Sequence, residues 1–196
     1  MHQFFSRLLI GYLIIIFDVQ IGIDWFPDII GFVVIAFAIQ KYAHSKYCKT
    51  AFWLSLFSGI LSLFEMPLLQ GFFTGGPQEF LIIYEFIMSF VNLIFYYYIL
   101  GICFSFAEQT PHMDYTKKVK NWLIGSMWFL MTANYILIHL DWIVFNIIYV
   151  IAVIIALISM IKFILYCFKM MKYGKMIESD DATSSNMSLE PITEHK

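Results

Sequence analysis

The sequence predicts an all-α integral membrane protein, a bundle of six transmembrane helices with both termini in the cytoplasm. Three observations carry this prediction: an apolar composition, long apolar runs, and basic residues confined to one side. Hydrophobic residues make up 61% of the 196 residues and charged residues 13%, and the mean hydropathy is +0.77. Too few polar residues remain to cover a water-soluble globule of this size, so lipid is the expected solvent.

Six apolar runs reach the length of about 20 residues that a membrane-spanning helix needs. They do not alternate between apolar and polar residues, which excludes transmembrane strands. The predicted helices cover residues 4–21, 26–42, 51–73, 80–106, 122–140 and 142–168. Residues 1–175 therefore form one membrane domain, and the polar residues 176–196 are predicted to be a disordered cytoplasmic tail.

The first helix has no small-residue cleavage site after it, so it is predicted to be retained rather than removed as a signal peptide. The second helix has a well-marked start. Asp24 is placed to cap free backbone N–H groups, Pro27 fits the first turn, and Asp28 faces the positive end of the helix dipole. Trp25 lies where interfacial aromatic residues concentrate.

The four later helices also have recognisable boundaries. The third follows the basic loop "KYAHSKYCK", contains Pro67, which predicts a kink, and ends at the turn "TGGPQ". Asp141 separates the fifth helix from the sixth. Asn92, Asn134 and Asn146 lie in or near helices four to six, and we expect these amides to form hydrogen bonds between helices.

The basic residues test the number of helices. With six spans, all twelve Lys and Arg residues fall on the side of the termini or at its boundary, and the three opposite loops contain none. The positive-inside rule makes the basic side cytoplasmic. Five or seven helices would destroy this separation, which is why the sequence favours six.

Seven of the fourteen acidic residues lie at or near the outer side. Four ionisable groups approach the outer third of the bilayer from four different helices: Asp18, Glu65, Glu85 and His139. An isolated carboxylate at that depth is costly, so these residues form a candidate cation or proton site. An outer acidic rim of Asp24, Asp28 and Asp141 would attract cations. The alternative is that short, tilted helices let the same groups reach interfacial water.

Motifs for enzymatic chemistry are absent. The sequence contains no H-E-x-x-H, G-x-S-x-G, Walker or dinucleotide-binding motif. The five histidines lack zinc-ligand spacing, and Cys48, Cys103 and Cys167 map to the reducing cytoplasmic side. The loops are too short for a catalytic domain. We therefore expect no enzyme activity, no cofactor, no metal site and no nucleic-acid partner.

The N-terminal hairpin has a recognisable pattern: Asp18, Gly22 and Asp24, followed by Pro27, Asp28 and Gly31. It resembles a family of small uncharacterised multi-pass membrane proteins of Gram-positive bacteria, with Phe26 in place of the usual leucine. The resemblance covers about the first forty residues. It implies a bacterial plasma-membrane location and implies no activity.

Two functions are compatible with these features. The first is a non-enzymatic accessory or interaction component of the cell envelope, with a membrane-protein partner or a second copy of itself. The second is a small cation- or proton-coupled transporter or sensor that uses the outer acidic residues. The second function requires Asp18, Glu65, Glu85 and His139 to converge on one cavity.

Overall fold

The computed structural model describes residues 1–16, 28–63, 78–108, 110–139 and 143–187, without the side chains of residues 78–83, 85, 137–139, 143–145 and 180–187. These ranges contain six helices and no strand, which confirms the all-α prediction. The helices are α1 (His2–Ile16), α2 (Ile29–Tyr42), α3 (Cys48–Ser62), α4 (Gln78–Ala107), α5 (Met113–His139) and α6 (Ile143–Met187).

Two stretches of the described chain are long and apolar enough to cross a membrane, Phe86–Ala107 in α4 and Asn146–Ser179 in α6. The helices α1 and α2 are also apolar, but they contain 15 and 14 described residues. At 1.5 Å per residue they extend about 21–23 Å, less than the apolar thickness of about 30 Å. The predicted ends of helices one and three, residues 17–21 and 64–73, lie outside the described residues.

The helices form a closed ring in which each packs against its neighbours in the chain and α6 packs against α1. Neighbouring helices are antiparallel. On α5 and α6, for example, His112 contacts Tyr173 while Trp122 contacts Lys162, so the residue number falls on one helix as it rises on the other. Met1 and Glu178 lie at the same end of the ring, with the amino group and the carboxylate 3.9 Å apart.

The helices α1 and α2 approach each other closely at Gly11 and Gly31. A Cβ atom on either glycine would lie 2.6 Å from the carbonyl oxygen of the other. It would also lie 2.6 Å from a side-chain carbon of the opposite helix, of Ile35 for Gly11 and of Ile15 for Gly31. Small residues at such crossings let backbones pack closely, as is typical of membrane helices.

Helix α3 turns its small residues toward the bundle. Its buried positions are Ala51, Ser55, Ser58, Gly59 and Ser62. The hydroxyl of Ser55 donates a 2.6 Å hydrogen bond to the carbonyl of Phe32 on α2. Small size and a hydroxyl that reaches the neighbouring backbone therefore hold α2 and α3 together.

Aromatic side chains fill the ring at the end that carries the termini. Phe4 of α1 contacts Phe106 of α4, with ring centroids 4.9 Å apart. About two turns further along α1, Tyr12 contacts Phe163 of α6 at 4.9 Å and Tyr96 of α4 at 5.8 Å. These edge and tilted contacts join α1, α4 and α6 across the ring. We call this half of the bundle the basic end, because the loops of residues 43–47 and 108–112 and most of the lysines lie there.

Three boundary predictions differ most from the structure. The helix α5 begins at Met113, nine residues before the predicted start at residue 122. Helix α2 begins at Ile29 rather than near residue 26, and its N-cap residue is Asp28. Asp28 has helical backbone angles and makes no side-chain cap hydrogen bond, because a capping side chain needs an extended backbone to reach back to the free N–H groups. The predicted capping residue Asp24 and Pro27 lie outside the described residues.

The helix α6 continues to Met187, so it includes residues 176–187, which were predicted to belong to a disordered tail. Contact with the N-terminus stabilises the first part of this extension. A Cβ atom on Gly174 would lie 2.8 Å from the backbone nitrogen of His2, and Glu178 is paired with the amino group of Met1. The local composition that suggests disorder does not reveal this contact.

Candidate polar solute-binding cavity

The helix α4 places two polar side chains on one face in its apolar middle. Ser89 and Asn92 are three residues apart, which puts them on the same side of a helix. Both are half-buried. They lie about one to two turns before Tyr96, where the aromatic packing of the basic end begins. The polar positions of α4 therefore lie in the half of the bundle opposite the basic end.

The helices α5 and α6 complete a cavity around these two residues. Asn134 comes from the last turns of α5, and Tyr149 comes from the first turns of α6. The cavity has a volume of about 200 Å³. Its lining residues are Ser89, Asn92, Met127, Leu130, Met131, Asn134 and Tyr149.

Asn92 is the most informative residue of the cavity. Its side-chain oxygen Oδ1 is buried and has no hydrogen-bond partner among the described residues. A buried polar atom without a partner costs about 1–3 kcal/mol. The cavity that Asn92 lines has room for several water molecules or for a small ligand, and the Asn92 amide must turn toward it before Oδ1 can accept a hydrogen bond from either.

The lining combines a larger apolar surface with four uncharged polar side chains. Two amides, one hydroxymethyl group and one phenol can both donate and accept hydrogen bonds. Within the described part of the chain, no three His, Cys, Asp or Glu side chains form a group that could hold a metal ion. The cavity is thus suited to an uncharged polar molecule, because a charged one would lose its hydration without gaining a counter-charge from the lining.

The structure describes only part of the predicted cation site. Asp18 and Glu65 lie outside the described residues. Glu85 lies in α4 one turn before Ser89, and His139 ends α5 five residues after Asn134, but their side chains are outside the described part. The backbone therefore brings two of the four onto the helices that build the cavity. The convergence of all four side chains stays a prediction.

The structure describes one of the three residues of the predicted acidic rim. Asp24 and Asp141 lie outside the described residues. Asp28 is half-buried at the start of α2 and does not line the cavity. The rim therefore also stays a prediction.

From the sequence, Asn92, Asn134 and Asn146 were expected to form hydrogen bonds between helices. Asn92 and Asn134 instead line the cavity, whereas Asn146 is exposed. Ser89 and Tyr149 were missed. The available signal was the three-residue spacing of Ser89 and Asn92 within a helix that is otherwise almost entirely apolar around them.

Comparisons of this chain with protein-family models, with curated proteins and with solved structures find no match.

Proposed function

We propose that this chain is a non-enzymatic, multi-pass integral membrane protein that binds a small uncharged polar solute between α4, α5 and α6. The carrying observation is the polar cavity with the unpartnered Asn92 Oδ1. Two of the three helices around the cavity, α4 and α6, are long and apolar enough to cross a membrane, which favours a role in sensing or carrying the solute. The proposed location is the plasma membrane.

The outward surface of α6 supports the membrane location. Large apolar side chains are exposed along it from Ile147 to Phe168, at Ile147, Val150, Ile151, Ile154, Leu157, Ile158, Ile161, Leu165 and Phe168. This stripe extends about 32 Å, which matches the apolar thickness of a bilayer of about 30 Å. A soluble protein rarely exposes an apolar surface this long. Lipid covers it without any need for a protein partner.

Charge supports both termini on the cytoplasmic side. In the antiparallel ring Met1 and Glu178 share the basic end, and Arg7 lies over the ring of Tyr42 at the same end, 5.2 Å from its centroid. Basic residues are retained on the cytoplasmic side of membrane proteins. The proposed cavity is then in the outer half of the bilayer.

Cys48 offers a test of this orientation. A membrane-impermeant maleimide is expected to label Cys48 in inside-out vesicles and not in intact cells. Burial raises the pKa of the Cys48 thiol, and the backbone N–H of Ser45 offsets this effect only in part. Because the thiolate is the nucleophile, labelling at neutral pH should be slow and should accelerate as the pH rises toward that pKa.

Cys103 and Cys167 are buried and should not react in the folded protein. A Cys48→Ser variant measures the background labelling that does not come from Cys48. Labelling of Cys48 in intact cells would contradict the proposed orientation.

The solute proposal predicts a specific effect at Asn92. Without solute, Asn92→Leu is expected to melt at a higher temperature than the wild type, because it removes a buried amide oxygen that has no partner. The same variant should lose solute binding. The measurement is thermal melting in detergent with acetamide, nicotinamide and uracil as uncharged probes. A probe at about 100 times its dissociation constant should stabilise the wild type by about 2.7 kcal/mol.

Asn146→Leu is the matched control, since it makes the same chemical change at an exposed position of α6 outside the lining. It should keep the probe-induced shift of the wild type. An unchanged shift in Asn92→Leu would contradict the assigned cavity. If no probe shifts the wild type and Asn92→Leu is no more stable, the solute proposal fails.

Cation or proton coupling is the second candidate function, favoured by the positions of Glu85 and His139 on the cavity helices. It predicts that Na⁺, K⁺ or acid pH changes the probe affinity and that Glu85→Gln removes this dependence. If cations and pH do not change probe binding, the coupling function is refuted. The chain would then bind its solute without ion coupling.

A further inference from the structure

Two lysines of α6 lie over aromatic rings of α5 along one side of the helix pair. The Lys162 ammonium is 3.8 Å from the centroid of the Trp122 ring, and the Lys169 ammonium is 4.7 Å from that of Tyr115. On both helices, seven residues separate the two contacts. The contacts therefore lie two turns apart, which is about 10 Å along the helix axis. We call these four residues the α5–α6 seam.

Within the described part of the chain, the lysines of the seam have no anionic partner. Among the side chains that the structure describes, neither ammonium forms an ion pair or a hydrogen bond, and the exposed Asp114 beside Tyr115 is not paired with either. An ammonium has three N–H donors, and the face of one ring does not accept all of them. The seam thus presents two positive charges in a fixed spacing that lack an acceptor.

The seam faces outward rather than into the ring of helices. Trp122 is 51% exposed. The residues that flank Lys162 along α6 are the exposed Ile158, Ile161 and Leu165. Lys162 therefore lies where the lipid-facing stripe of α6 approaches the basic end. Lys169 lies beyond Phe168, the last exposed apolar residue of that stripe.

We propose that the α5–α6 seam binds an acidic phospholipid of the cytoplasmic leaflet. Its phosphate would accept hydrogen bonds from Lys162, its headgroup would extend toward Lys169, and its acyl chains would run toward the middle of the bilayer over Ile158 and Ile161. Basic pockets between helices at this depth are suited to acidic headgroups. The inference rests on the proposed membrane location.

The test compares lipid retention by native mass spectrometry of the full chain from micelles that contain equal amounts of phosphatidylglycerol and phosphatidylcholine. The wild type should retain phosphatidylglycerol in preference. Lys162→Gln and Lys169→Gln should each lower that preference about fivefold, the ratio that corresponds to about 1 kcal/mol per basic residue near an acidic surface. Lys162→Arg should keep it.

Lys46→Gln is the matched control. Lys46 also lies over an aromatic ring at the basic end, 5.2 Å from the centroid of Tyr47, and its replacement changes the net charge equally. It should leave the preference unchanged. If Lys46→Gln lowers the preference for phosphatidylglycerol as much as the seam variants do, the lipid is attracted unspecifically to the basic end. That result would refute the proposed lipid site at the seam. Full competition by water-soluble glycerol phosphate would also overturn it, because a free phosphate rather than a lipid would then be the ligand.

Carbonate extraction of wild-type membranes, carried out first, tests the membrane location separately. A protein that is released by carbonate refutes the proposed function. If the protein stays in the membrane but shows no preference for phosphatidylglycerol, only the proposed lipid site at the seam is refuted.

Discussion

Replacing Gly31 with leucine is expected to lower the free energy of unfolding by about 3 kcal/mol or more, the upper range for added bulk at a packed site. Even the first added carbon would lie 2.6 Å from the carbonyl oxygen of Gly11. That oxygen belongs to the backbone of α1 and cannot move without moving the helix. Ile15 could change its rotamer, but the backbone contact would remain. The helices α1 and α2 must therefore separate.

This separation would disturb more than one helix pair, since α1 also packs against α6 and its aromatic residues fill the basic end. Thermal melting and size-exclusion chromatography in detergent measure the loss. Gly31→Ala should show a smaller loss in the same direction, and Gly11→Leu should match Gly31→Leu because the contact is reciprocal.

Gly125→Leu is the control for the glycine series. A Cβ atom on Gly125 would meet nothing within 4 Å, so added bulk has free space. Leucine also forms helices better than glycine. We expect its melting temperature to equal or exceed that of the wild type. A Gly31→Leu variant that melts like Gly125→Leu would show that the helices do not cross at this point.

Replacing Leu157 with arginine is expected to remove most of the protein from the carbonate-resistant membrane fraction. Leu157 is 52% exposed and lies at the middle of the apolar stripe of α6. An arginine at the centre of a membrane helix costs about 3 kcal/mol relative to leucine on insertion scales. In water, the same exposed substitution would change stability by only about 0.5 kcal/mol.

Ile177→Arg provides the comparison. Ile177 is 41% exposed on the same helix, nine residues beyond Phe168 and therefore outside the proposed apolar layer. It should leave the membrane-associated amount unchanged. If both arginine variants stay in the membrane at the wild-type level, the exposed stripe of α6 does not contact lipid.

Several features of the site could not be predicted because they depend on packing between distant residues. Ser89, Asn92, Asn134 and Tyr149 belong to three helices, and only their packing places them around one cavity. Each is a common type of residue that hydrogen bonding between helices explains equally well. The same holds for the seam, where Trp122 and Lys162 are 40 residues apart in sequence.

The sequence by itself determined the helical class, the six helices found in the described residues and the end of the bundle at which the basic residues gather. These properties follow from local composition and from the length of apolar runs, which no later contact can alter. The tertiary structure alone decided where α2 begins, how far α6 continues, and which polar residues share a cavity. All three depend on the free energy of contacts between helices. These contacts are the reciprocal glycines of α1 and α2, the N-terminus against Gly174, and the three helices that pack around Asn92.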